Sequence, residues 1–171
     1  MKKIVSLIMA LTLIVSACVV FSSCDKEITY TAASEFYYSA DKGATYGNRT
    51  KEYAVGETVY MQVIVKVVSD SKDPEDVKVK LTIPNVTAVD AKYYDGQIIT
   101  PVYDAVQNVT TYEFTITASK DAVEWNFVFQ FVPNAEAEVA MTLEFDDKID
   151  SKYDRQNTVK FVPEGTITDW E

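Results

Sequence analysis

Apolar and polar residues alternate with a period of two along most of the chain beyond residue 28. In DVKVKLTIP, Val77, Val79, Leu81 and Ile83 share one face, and Lys78, Lys80 and Thr82 share the other. TYEFTIT sets Tyr112, Phe114 and Ile116 against Glu113, Thr115 and Thr117. EWNFVFQFVP lines up Trp125, Phe127, Phe129 and Phe131, and AEVAMTLEFDD lines up Ala137, Val139, Met141, Leu143 and Phe145. Successive side chains of a strand point to opposite faces, so these segments predict strands with one face on a core. TVYMQVIVKVV is apolar on both faces and predicts a central strand. ITYTAASEFYYSA and TVKFVP predict a first and a last strand. QIITPVYD predicts a weaker one, with Pro101 placing it at an edge or bulge because proline offers no N–H to a ladder.

Turn residues separate these segments: Gly56, Pro74, Gly96 and the pair Pro133-Asn134. No helical spacing recurs over a useful length. Seven or eight strands without crossover helices predict an all-β, two-sheet sandwich. The predicted division is a leader at 1–23, a short tether at 24–32, the sandwich at 33–163 and a tail at 164–171.

The leader breaks the alternation. Lys2 and Lys3 precede an uncharged run from Ile4 to Phe21, the pattern of an export signal. The run falls short of the roughly 20 apolar residues of a spanning helix. Small residues then lead to a cysteine twice, as VSAC ending at Cys18 and as FSSC ending at Cys24. Both resemble the lipobox of bacterial lipoproteins, in which the thiol is acylated and the chain is cut just before it. VSAC has the better aliphatic start, whereas FSSC puts Phe21 in that place. Cys24 is favoured because Val19, Val20 and Phe21 continue the apolar core, whereas Asp25, Lys26 and Glu27 change the character at once. Cys18 remains the alternative. The resemblance implies a protein held at the cell membrane or outer membrane by acyl chains such as palmitate, on the extracytoplasmic side. Two or more chains are needed for stable anchoring.

Cleavage before Cys24 would leave 148 residues and move the net charge from −10 to −12. Such a surface disfavours nucleic acid, whose binding rests on neutralised phosphates. Cys24 would be the last cysteine and would be spent on lipid, so stability must come from packing. The chain has no histidine, which excludes His-based triads and His-ligated zinc.

The phrase Y-x-x-G-E-x-V-x-M-x-V-x-V-x-V from Tyr53 to Val67 is similar to the opening of bacterial Ig-like domains, and VKVKLTIPNVTAV resembles their next strand. That resemblance implies a binding, spacing or adhesive module without catalysis. Among candidate sites, DDKIDSKYD offers Asp146, Asp147, Asp150 and Asp154. Calcium takes six to eight oxygens from such loops, but the central glycine of an EF-hand is missing; a solvated acidic linker is the competing reading. The chain carries 11 tyrosines. Tyr37, Tyr46, Tyr94 and Tyr103 fall in or near predicted loops, where rings can serve as platforms for a glycan or a protein partner; packing and β propensity account for most tyrosines of this kind. Three N-x-T triplets begin at Asn48, Asn85 and Asn108 and read as chance matches in a bacterial lipoprotein. The expectation is a non-catalytic envelope lipoprotein binding a surface protein or glycan. The alternatives are an accessory subunit of a cell-surface assembly and, last, a carbohydrate-active enzyme using paired carboxylates.

Overall fold

The computed structural model describes residues 28–47, 52–88, 91–93 and 98–166. Seven long strands carry the fold: β1 (Tyr30–Ser39), β3 (Val59–Ser69), β4 (Glu75–Pro84), β9 (Val109–Ala118), β10 (Glu124–Pro133), β11 (Ala137–Phe145) and β12 (Arg155–Val162). Five short ones complete it: β2 (Glu52–Ala54), β5 (Val86–Ala88), β6 (Ala91–Tyr93), β7 (Ile98–Ile99) and β8 (Val102–Asp104). One 3-10 turn, Ser151–Tyr153, precedes β12.

The strands form two six-stranded sheets. The first runs β1-β3-β10-β6-β7 with β5 also on β10; the second runs β2-β12-β11-β4-β9-β8. β1-β3-β10 facing β12-β11-β4 is the strand arrangement of an Ig-like sandwich. Every pairing is antiparallel except that of β2, which runs parallel to β12. Pro101 divides the predicted strand 97–104. Before it β7 belongs to the first sheet, and after it β8 belongs to the second. A residue without an N–H sits where the ladder changes partner.

The alternation read from sequence is the burial pattern observed. Val59, Met61, Val63, Val65 and Val67 of β3 are buried, as are Val77, Val79, Leu81 and Ile83 of β4. Aromatic rings join the sheets: Tyr112 meets Phe129 edge-on with ring centres 4.8 Å apart, and Phe114 lies 4.2 Å from Phe127. Each such side chain contributes roughly 1.5–3 kcal/mol by leaving water. Trp125, predicted to share this face, packs against the core while only partly buried.

At the β1 edge, Tyr38 packs 5.1 Å from Tyr53 and accepts a hydrogen bond from the Asn157 amide. Burial pushes the hydroxyls of Tyr38 and Tyr53 well above the ordinary tyrosine value. These contacts seat β1 over β2 and β12, so β8, at the far side of the second sheet, lies at the opposite lateral edge from β1.

Register defines two poles. The chain enters β1 at a proximal pole, which also holds the loops 70–74, 119–123 and 146–154. The distal pole holds the loop after β1, the turns at Asn85 and Asn108, the link from β10 to β11, and the exit from β12.

Candidate functional site

Three asparagines gather at the distal pole. Asn85 and Asn108 have φ of 56° and 53°. Few residues other than glycine adopt this left-handed geometry, and asparagine is one of them. It lets the turns after β4 and before β9 close on each other: the Asn85 N–H donates to the Asn108 carbonyl at 2.8 Å, and the Asn134 N–H donates to the Asn85 carbonyl at 3.0 Å. The side chains repeat the linkage. Asn108 Nδ2 donates to Asn85 Oδ1 at 2.9 Å and to Asn134 Oδ1 at 3.0 Å, and Asn134 Nδ2 returns a bond to Asn108 Oδ1 at 3.0 Å. The Tyr103 hydroxyl donates to the same Asn108 oxygen at 2.9 Å. Two of the N-x-T asparagines are therefore structural ties. The repeated NVT was the sequence signal of this knot, read there as chance.

Beside the knot lies an exposed apolar strip. Ile98, Val102, Tyr103 and Val106 are 62, 71, 51 and 96% exposed. They span nine residues, and the two other exposed large apolar side chains among the described residues, Ile28 and Val123, are less open than any of them. Among the described residues β7 ends the first sheet and β8 ends the second, so both sheet edges meet here. The Asp104 carboxylate accepts the N–H groups of Val106 and Gln107 at 2.8 and 3.1 Å, which fixes the turn that carries Val106. An unpaired strand edge flanked by exposed apolar side chains is the geometry that receives a partner chain.

The sequence-predicted tyrosines do not converge. Tyr103 belongs to this strip. Tyr37 lies at the other lateral edge, on the outer face of β1, with its hydroxyl on Glu35, and that bond pushes its pKa up. Tyr46 lies in the loop after β1, half-buried, its hydroxyl pushed up first by burial. It closes on Tyr60 across Gly43, where a Cβ would sit 3.2 Å from the Tyr46 hydroxyl and 3.3 Å from the Tyr60 ring. A shallow groove of about 420 Å³ runs beside Tyr60, lined by Ala40, Lys42, Glu57 and Thr58. Tyr94, Cys18 and Cys24 lie outside the described residues.

The four aspartates of the proposed calcium loop are spread along the proximal pole, and three of them serve the backbone. Asp146 Oδ2 accepts the Lys78 N–H at 2.9 Å, and its Oδ1 accepts the Lys148 N–H at 3.2 Å. Asp150 caps the 3-10 turn through the Lys152 N–H at 3.0 Å and pairs with the Lys152 ammonium at 3.1 Å; both hold its pKa down. Asp154 accepts the Phe145 N–H at 3.0 Å, and Asp147 is exposed. Among the described residues no three His, Cys, Asp or Glu side chains are placed to share a metal ion.

A second depression, about 380 Å³, lies on the outer face of the second sheet. Glu113 and Glu144 flank it, but Lys80 stands between them in the register, its ammonium 4.0 Å from Glu144. That is a solvent-facing row of alternating charge and not an acid/base couple around a cleft. No described helix is long and apolar enough to cross a membrane.

The sequence matches no family model and no curated protein. Among solved structures, the 35 kDa C-terminal fragment of a major pilin of Streptococcus agalactiae aligns over 77% of this chain and 56% of its own length, at 12% identity and a TM-score of 0.41. The major pilin subunit of Bacillus cereus aligns over 79% of this chain and 40% of its own length, at 10% identity and a TM-score of 0.43. An enzyme that catalyses macrocyclisation in alchivemycin A biosynthesis aligns over 85% and 94%, at 8% identity and a TM-score of 0.41. This chain thus spans about half the length of the two pilins. Likenesses this remote carry no argument about what it does.

Proposed function

We propose that this chain is a non-catalytic Ig-like binding module of a bacterial cell envelope, acylated at Cys24 and engaging a surface protein at its distal pole. One observation carries the binding reading: four exposed apolar side chains within nine residues, at the meeting of two sheet edges. The lipid reading rests on the run from Lys2 to Glu27. If Cys24 is the anchor, three residues lie between it and Ile28, a span of at most about 14 Å over four residue steps. The proximal pole then faces the membrane, and the Asn108 knot and Val106 point away from it.

The test is a photo-cross-linker at Val106 in the acylated chain, followed by titration of the purified adduct partner. Val102→Asp should weaken that binding at least tenfold without lowering the melting temperature; unchanged affinity would refute the site. Palmitate labelling lost in Cys24→Ala but kept in Cys18→Ala checks the anchor. A second reading, glycan binding, draws on Tyr46 and Tyr60 beside the 420 Å³ groove. A glycan array that gives signals abolished by Tyr60→Ala would move the function there. A stable stoichiometric complex would instead favour an accessory subunit of a surface assembly.

A further inference from the structure

The chain enters and leaves this domain at opposite poles, so a pull between its two ends runs along the strands. β1 enters at the proximal pole and is held by ten consecutive pairs with β3, from Tyr30↔Ser69 to Ser39↔Tyr60. Tension on its N-terminal end loads these rungs side by side, and they must yield together. A pull across the strands would open the same rungs one at a time. At the other end, β12 is gripped on both sides, by seven pairs with β11 and three parallel pairs with β2. The parallel grip is reinforced by Lys160 on Glu52 at 3.1 Å and by the Val55 N–H on the Val162 carbonyl at 2.9 Å.

The point where force would enter is fastened to both sheets. The Thr29 N–H donates to the Asp70 carboxylate at 2.9 Å, and the Asp70 N–H returns to the Thr29 carbonyl at 3.2 Å. The Tyr30 hydroxyl donates to Glu75 at 2.6 Å, a residue of β4 in the opposite sheet. Both cysteines precede residue 28, so no disulfide within the described domain shares the load.

We infer that this domain is a load-bearing link: it carries tension between whatever holds its N-terminal side and whatever grips its distal side, in shear geometry. The shear follows from strand order and register alone. Naming the envelope as the source of the tension rests on the lipid-anchor reading above.

Single-molecule force spectroscopy separates these claims. In the full chain produced without acylation and carrying Cys18→Ser, the Cys24 thiol is one handle and Glu164→Cys is the other, which pulls pole against pole. A second version uses Cys24 with Lys72→Cys, both on the proximal side, and peels β1 from β3 starting at Tyr30↔Ser69. Both substituted positions are exposed. The first pair should rupture in one event at a force several-fold higher than the second at the same loading rate. Equal forces, or gradual yielding of the first pair, would overturn the inference. A high pole-to-pole force found together with a Cys24 that carries no acyl chain in cells would uphold the load-bearing inference and remove the envelope anchor.

Discussion

The two poles of the sandwich close their loops with different chemistry. At the distal pole the central tie is neutral: three carboxamides and one phenol bridge the turns at Asn85 and Asn108 and the link at Asn134. At the proximal pole the ties are carboxylates accepting N–H and O–H groups, with Asp70 on Thr29, Glu75 on Tyr30, Asp146 on Lys78 and Asp154 on Phe145. The carboxamides of the knot do not titrate in acid and carry no charge, whereas carboxylate ties are charge-assisted, stronger while ionised and lost on protonation. At the distal pole the tie between separate turns is thus made by neutral amides, while Asp41 and Asp104 cap only their own loops there; at the pole where β1 begins the ties between separate segments are carboxylates.

The largest effect should come from breaking the neutral knot. Asn108→Ala removes four side-chain hydrogen bonds and leaves a β-carbon residue at a φ of 53°. A strained left-handed residue costs of order 1–3 kcal/mol and each lost bond about 1 kcal/mol, partly recovered by water, so a loss of about 3 kcal/mol is expected in urea denaturation. Asn108→Gly lacks the same four bonds but relieves the backbone, and should recover about 1 kcal/mol of that deficit. Equal losses in the two variants would mean that the backbone geometry contributes nothing.

Next in size is the proximal tie at Tyr30. Tyr30→Phe leaves the ring against the core and removes the bond to Glu75. A loss of about 1 kcal/mol is expected, with faster exchange of the β1 amides nearest Tyr30 and no change around Asn85. Burial, then the Glu75 bond, push the Tyr30 pKa up to about 12 from 10.0. A raised folded value means that this stabilisation is whole below 10.0 and is lost as pH rises through about 12. The wild-type chain should therefore lose more stability than Tyr30→Phe across that window, as parallel pH titrations of denaturation would register.

The fold was legible because its strands are amphipathic over long stretches. In β3, β4 and β9, and in β10 from Phe127 on, every second side chain is buried as the sequence pattern predicts, and the pattern needs no knowledge of partners. β2 and β5 went unread because three residues, Glu52–Ala54 or Val86–Ala88, are too few for a period to register; they exist through their neighbours β12 and β10. The site was less legible for a related reason. Exposure of Val102 and Val106 depends on β8 ending a sheet, which only the finished topology decides. Nor does sequence separation reveal that Asn85, Asn108 and Asn134 meet. The tyrosines share only a place in or near predicted loops, and Tyr37 and Tyr103 stand in different sheets at opposite lateral edges.

Acid should discriminate the poles by a smaller margin. Hydrogen bonding from Tyr30 holds Glu75 below its ordinary 4.5, and the Lys152 N–H and ammonium hold Asp150 below 3.8. A depressed folded value means that the unfolded chain takes up protons first as pH falls. The stabilisation is therefore present above the ordinary values and is lost as pH drops through the lower folded ones. Between pH 7 and pH 3, amide protection, taken relative to the intrinsic exchange rate at each pH, should fall at Lys152 and at the start of β1, while the Asn85 and Asn134 amides keep theirs. Asp41 supplies an internal control at the distal pole. Ser39 and then Thr45 hold its carboxyl well below the usual range, so the loop 40–47 should loosen only at still lower pH. Loss of protection at both poles together would erase the distinction.

The smallest effect expected is that of calcium on the proximal aspartates. A calcium ion needs six to eight oxygens. Asp146 and Asp150 each have both oxygens engaged, and Asp154 has one on the Phe145 N–H. Gathering them around an ion would strip the caps from Lys78, Lys148, Lys152 and Phe145, each bond worth about 1 kcal/mol or more when charge-assisted. A site filled at a hundredfold excess over its dissociation constant would stabilise the fold by about 2.7 kcal/mol, several degrees in melting temperature for a domain of this size. Adding about 10 mM calcium should instead shift the melting temperature by less than about 1 °C, no more than magnesium does. A calcium-selective rise of several degrees, abolished by Asp147→Asn, would show that the carboxylates can leave the backbone for an ion, and that the proximal pole is built to be switched and not simply to be held.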